Sequence, residues 1–157
     1  MSDMTHKETE TEELQRYWRE YEDEHDHEAV SAREVIDWAV LHRGYRLPPV
    51  DPHDVAAGKL SRALREQYAT DDKGRRYRVN HAMRVTKNGV QTTMWGIIGF
   101  APHGHMQRAF TQRREQVIGD LVQLDTDVEV YNETIPKDKQ IQLILDFKDD
   151  VAERRAG

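Results

Sequence analysis

Residues 77 to 85 place side chains of one kind at every second position ahead of the dipeptide Asn88-Gly89. Tyr77, Val79, His81, Met83 and Val85 recur with a period of two, and the run from Val90 to Ile98 is rich in strand formers. A two-residue type I′ turn needs positive φ at both central positions, and Asn followed by Gly tolerates that best. The stretch is therefore expected to form an antiparallel hairpin. With Tyr77, Val79 and Met83 turned inward, Arg76, Arg78, Asn80 and Arg84 project outward together.

Helices are expected on the N-terminal side of this hairpin. Leu14, Tyr17, Trp18 and Tyr21 fall at three- and four-residue spacing, which predicts a helix over 10–24 that docks one aromatic stripe. Ser31-Ala-Arg-Glu34 is a capping box, in which the serine hydroxyl and the glutamate side chain each satisfy a free backbone amide. A helix over 31–43 follows. Its apolar positions Val35, Ile36, Trp38, Ala39, Val40 and Leu41 cover most of its girth and mark it as a central core helix, and Gly44 supplies a left-handed stop. "YRLPPVDPHD" is a stiff extended connection, because each proline fixes its own φ and restricts the residue before it. Asp51-Pro52 then opens a further helix in which Val55, Ala56, Leu60, Ala63, Leu64 and Tyr68 keep helical period. Lys59, Arg62 and Arg65 occupy its other face. Gly58 leaves open whether this is one helix or two.

Beyond the hairpin, a long helix is expected over 103–132. Val117, Leu121, Leu124, Val128 and Tyr131 step alternately by four and three, the apolar line of a short coiled coil. This implies either a homodimer through 103–132 or a fold back within the chain. "IPKDK" ends the helix, and the alternating Ile141, Leu143, Leu145 and Phe147 form a short C-terminal strand or an extended peptide.

The net charge of −6 is unevenly spread. Residues 1–30 carry 3 basic and 11 acidic side chains, residues 31–114 carry 15 and 7, and residues 115–157 carry 5 and 11. The centre is basic, which suits a polyanion or intramolecular cover by the acidic flanks. The chain contains no cysteine, so disulfides, thiolate metal sites and a cysteine nucleophile are excluded. "MSDMTHKETETEELQ" has no apolar signal core and no run approaches the roughly 20 apolar residues of a membrane helix, so a cytoplasmic protein without membrane contact is expected. His25, His27 and Glu28, like His103 and His105, are spaced for a transition metal but lack recognisable third and fourth ligands, and they are read as ordinary histidines. His53 and His81 have no nucleophile partner at motif spacing, and neither "KNG" nor "APHGH" is a phosphate-binding loop. No catalytic residue, metal or cofactor is assigned, and the chain is read as non-enzymatic. Trp38 and Trp95 are read as core residues, with Trp95 beside arginines as the alternative stacking platform.

The order of helix, extended segment, one or two helices and basic hairpin over residues 31–98 resembles a winged helix-turn-helix domain. Its carriers are "SAREVIDWAVLHRG", "PHDVAAGKLSRALREQY" and "DDKGRRYRVNHAMRVTKNGVQTTMW". The resemblance implies an α+β, mainly helical fold. In it a tail (1–9) and an acidic helix (10–28) precede a winged-helix-like basic module (31–98), and a long helix (103–132) and a C-terminal extended segment and tail (138–157) follow. It also implies that Lys59, Arg62 and Arg65 lie on a helix entering the major groove of DNA, and that Arg75, Arg76, Arg78 and Lys87 lie on the wing. Arg84 shares the outward face of the hairpin.

Gln142, Leu143, Leu145 and Phe147 in "QLILDF" resemble the Gln-Leu-x-Leu-x-Phe peptide by which bacterial replication and repair proteins dock to the sliding clamp. A core strand is the competing reading of the same residues. At the level of function, a DNA-binding accessory protein competes with a protein-interaction module whose basic face meets an acidic partner or the acidic N-terminal arm.

Overall fold

The computed structural model describes residues 7–28 and 30–157, so most of the expected tail over residues 1–9 lies outside the described residues. The chain is α+β and mainly helical. It divides into two compact units, residues 1–55 and 56–157.

The first unit is a helix pair. α1 (Glu10–Glu24) starts at a capping box of Thr9 with Glu12, and α2 (Ala32–Arg43) starts at the expected box of Ser31 with Glu34. Gly44 closes α2 in the left-handed region, φ 68°. Three of the four stripe residues of α1 dock: Tyr17, Trp38 and Ala39 form a buried cluster flanked by Leu14, Tyr21 and Tyr45, while Trp18 is 45% exposed. Arg43 ties the two helices together, pairing with Glu20 and Glu24 while its guanidinium lies 4.5 Å from the centre of the Trp38 ring. The expectation that α2 is a central core helix needs correction. Only Val35, Trp38 and Ala39 are buried, on the side where α1 packs, and Leu41 is 79% exposed.

α3 (Pro52–Glu66) is a single helix. The Asp51 carboxylate accepts the His53 amide at its start, and Gly58 is carried inside it at a cost of about 1 kcal/mol relative to alanine. There is no second helix after a turn at Gly58. Tyr68, expected on the apolar side of that helix, belongs instead to β1 (Tyr68–Thr70).

The strand after β1 serves two partners. Its first part, β2 (Arg76–Arg78), pairs with β1, and its second part, β3 (Asn80–Lys87), pairs with β4 (Val90–Ile97). The exchange falls at Val79, whose amide donates to the Gln67 carbonyl and whose carbonyl accepts from Ile98. Backbone hydrogen bonding thus passes from one hairpin to the other without an orphan. The first turn is organised by Asp71, whose Oδ1 accepts the Lys73 and Arg75 amides while Oδ2 holds the Arg75 guanidinium. The second is the expected Asn-Gly turn, with φ 51° at Asn88 and 77° at Gly89.

α4 (His103–Glu133) is about 46 Å long at 1.5 Å per residue. It packs against β3 at two places. Near its start His105 Nε2–H donates to the His81 carbonyl at 2.9 Å and Phe110 meets the His81 ring edge-on. A Cβ added to Gly96 of β4 would stand 2.7 Å from Ala101 and His105, so glycine is what admits this close approach. Further along, Gln112 grips the outer edge of β3: the Arg84 amide donates to Gln112 Oε1 at 2.7 Å, and Gln112 Nε2 donates to the Arg84 carbonyl at 2.9 Å. A side-chain amide thereby replaces a neighbouring strand on an otherwise open edge.

After α4 and a 3₁₀ turn (Lys137–Lys139), residues 140–147 run extended and belong to no strand. Asn132 fastens them to α4, its Oδ1 accepting the Ile141 amide and its Nδ2 donating to the Ile141 carbonyl. The chain then forms α5 (Lys148–Ala156), a helix where only an extended segment and tail were expected. Among the described residues no helix is long and apolar enough to cross a membrane.

Candidate functional site

One face of the β3–β4 hairpin and one side of α4 enclose a cleft of about 570 Å3 in the second unit. The register sets which residues line it. Ala82 stands opposite Trp95 and Arg84 opposite Thr93, so these four share a face of the sheet, with Asn80 and Arg78 continuing that face toward the exchange point. The end of α3 contributes Arg65, and α4 contributes Arg113 and Asp120 at helical spacing.

Asn80 joins these elements. The residue is 7% exposed, and its Nδ2 donates to the Leu64 carbonyl at 3.2 Å and to Gln67 Oε1 at 2.8 Å. Leu64 lies in the last turn of α3, where helix carbonyls lack an intrahelical partner. The contact therefore satisfies the helix end and brings Arg65 to the hairpin, where its guanidinium lies 5.5 Å from the centre of the Trp95 ring. The expectation that Asn80 projects outward with the arginines is corrected here. Its amide is drawn inward because α3 offers it a carbonyl to satisfy.

Four arginines, Arg65, Arg78, Arg84 and Arg113, thus line a cleft that holds a single carboxylate, Asp120. Among the described residues none of the four takes part in an ion pair. His81, on the same lining, is pulled below its ordinary pKa, first by burial and also by the charges of Arg113, Arg78 and His105, against the raising effect of its bond to the Arg78 carbonyl. It adds no positive charge at neutral pH. The cleft is basic by composition, and the indole of Trp95 lies in its wall.

The residues singled out in the sequence are not all brought together. Arg65, Arg78 and Arg84 meet in the cleft, whereas Lys59 and Arg62 are exposed on α3 and Lys87 is exposed beside the hairpin turn, all outside its lining. Arg75 is held by Asp71, whose carboxyl it keeps below the usual carboxylate range. Arg76, at the far end of β2 from the exchange, lies outside the lining, and its guanidinium lies 3.8 Å from the centre of the Tyr68 ring. Arg113 was missed. Its only signal in the sequence is the pair Arg113-Arg114 on a helix whose apolar line drew the attention instead. Trp95 lies half-buried in the cleft wall, while Trp38 is a core residue as expected.

The histidine candidates are engaged separately. His25 Nδ1 bonds the Tyr21 carbonyl, His27 pairs with Glu22, and His105 bonds the His81 carbonyl. In the C-terminal segment Gln142 is exposed, Leu143 is 48% and Phe147 38% exposed, and Leu145 is half-buried.

Comparison with known proteins returned no family model, no curated protein and no solved structure that matches this chain.

Proposed function

We propose that this chain is a small, non-enzymatic DNA-binding protein whose second unit contacts phosphates through its basic cleft and hairpin. The observation that carries this reading is the convergence of Arg65, Arg78, Arg84 and Arg113, which have no ion-pair partner among the described residues. Arginine presents a rigid fork of donors suited to phosphate oxygens, and structural arginines ordinarily find a carboxylate instead. Phosphate contacts release counterions, so fluorescence anisotropy with labelled DNA is expected to show affinity falling steeply with salt. Arg84→Ala with Arg113→Ala is expected to weaken binding and flatten that dependence. Absence of binding to both single-stranded and duplex DNA at 50 mM salt refutes the reading and leaves an acidic protein as the partner of the basic face.

A homodimer through α4 accompanies this proposal. Val117 is 52% and Leu124 42% exposed on the apolar line, with Leu121 and Val128 half-buried beside them. Apolar side chains in a row along a helix, from Val117 at the cleft to Val128, are what a second copy would cover. The sliding-clamp reading of Gln142, Leu143, Leu145 and Phe147 also keeps support. The segment is extended, joins no sheet and leaves three of these four side chains exposed, as a groove-docking peptide requires.

A further inference from the structure

The shape of the cleft narrows the kind of DNA it takes. Duplex DNA is read by elements that protrude into a groove, and its major groove is about 12 Å wide. Here the arginines line a concavity of about 570 Å3, within the 300–1,000 Å3 range of sites that engulf a small ligand. A duplex cannot enter such a space. A single strand can, since its phosphates and bases are separately accessible.

The aromatic component points the same way. Grooves that hold single strands combine cationic side chains along the backbone with an aromatic ring on which a base stacks. Trp95 stands on the same face of the sheet as Ala82 and Arg84 and is half-buried in the wall, so one side of its indole is held by the fold. Ala82, directly opposite on β3, is too small to cover it. The guanidinium of Arg65, 5.5 Å from the ring centre, is the group now facing the indole. A solvent-accessible cation–π contact of that kind is worth about 2- to 5-fold in an equilibrium, whereas a stacked base is worth about 5- to 150-fold. The base wins that competition, and Arg65, displaced from the ring, is freed to meet a phosphate.

We infer that the cleft binds a single-stranded DNA segment, with one base stacked on Trp95 and the flanking phosphates held by Arg65, Arg78, Arg84 and Arg113. This inference rests on the DNA-binding reading and makes it more specific.

The test compares a labelled 15-nucleotide oligothymidylate with a labelled duplex of mixed sequence, using the full chain at several salt concentrations. The single strand is expected to bind more tightly, with a salt slope of about 3 if four phosphates are neutralised at roughly 0.7 each. Trp95→Ala is expected to lower affinity for the single strand 5- to 150-fold. Trp95→Phe keeps a stacking ring and is expected to restore most of the loss. Quenching of tryptophan fluorescence by the oligonucleotide is expected in the unaltered chain and absent in Trp95→Phe. If duplex binds as tightly as the single strand, or if both Trp95 variants bind the single strand as the unaltered chain does, the inference is overturned while DNA binding stands. If neither DNA binds, both readings fall together.

Discussion

Asn80 is the residue through which the fold and the cleft depend on each other, and its removal can be followed in numbers. Asn80→Ala deletes the donations to the Leu64 carbonyl and to Gln67 Oε1. Each such bond contributes about 0.5–1.5 kcal/mol net. The Gln67 bond lies at the low end, because its exposed side chain can turn to water. The Leu64 carbonyl lies in the last turn of α3, and losing its partner weakens the helix end as well. The total is expected near 2 kcal/mol. For a unit of about 100 residues, such as residues 56–157, one kcal/mol moves the midpoint by about 4–8 °C, so a fall of about 8–16 °C is expected. Asn80→Asp sharpens the test. It preserves shape but replaces the donor with an oxygen that faces two acceptors, and it places a carboxylate at a 7% exposed position, so it is expected to cost more than alanine. Thermal unfolding followed by circular dichroism and by tryptophan fluorescence reads both effects. An alanine variant within about 2 °C of the parent, or an aspartate variant no worse than alanine, would show that α3 is not held to the hairpin in this way.

Further outcomes follow from the packing and the exposed segments. Gly96→Ala places a methyl 2.7 Å from Ala101 and His105 without backbone strain. A destabilisation of about 1–3 kcal/mol is expected in chemical denaturation, and parental stability would disprove the close approach of α4. His81 titrates below its ordinary pKa of about 6.5 when folded, so the unfolded chain takes up the proton first. Its contribution is intact above pH 6.5 and falls as pH drops below that value toward the folded pKa. A His81→Asn variant is expected to lose part of that slope, and an unchanged slope assigns it to other groups. Leu121→Asp is expected to convert the α4 dimer to monomer in light scattering, since burying an unpaired carboxylate costs several kcal/mol. A monomeric mass for the parent at tens of micromolar removes the dimer. A peptide of residues 138–150 is expected to bind purified sliding clamp at micromolar concentration and to lose binding with Gln142→Ala and Phe147→Ala. No binding at hundreds of micromolar ends that reading.

What local chemistry governs was present in the sequence. Ser31 with Glu34, Asp51 with Pro52, Asn88 with Gly89 and the stop at Gly44 each act through backbone geometry within a few residues, and the structure places each in its expected role. The helical period likewise located α1, and the start after Pro102 with the apolar line from Val117 to Tyr131 located α4. Tertiary partners decided the rest. Alternation from Tyr77 to Val85 is the same whether one strand lies beside the chain or two, so only the carbonyl of Gln67 and the amide of Ile98 reveal that pairing changes at Val79. Tyr68 fits helical period as well as a strand, and its pairing with Arg78 settles the matter. Period two sent Asn80 outward with the arginines, but a helix end with an unpaired carbonyl drew it in. The cleft itself joins side chains from α3, the hairpin and α4, and its arginines are separated by as many as 48 positions, between Arg65 and Arg113. Periodicity assigns a residue to a face of its own element. Which faces meet, and so which arginines stand together, is set by packing between elements and is encoded at no single place in the chain.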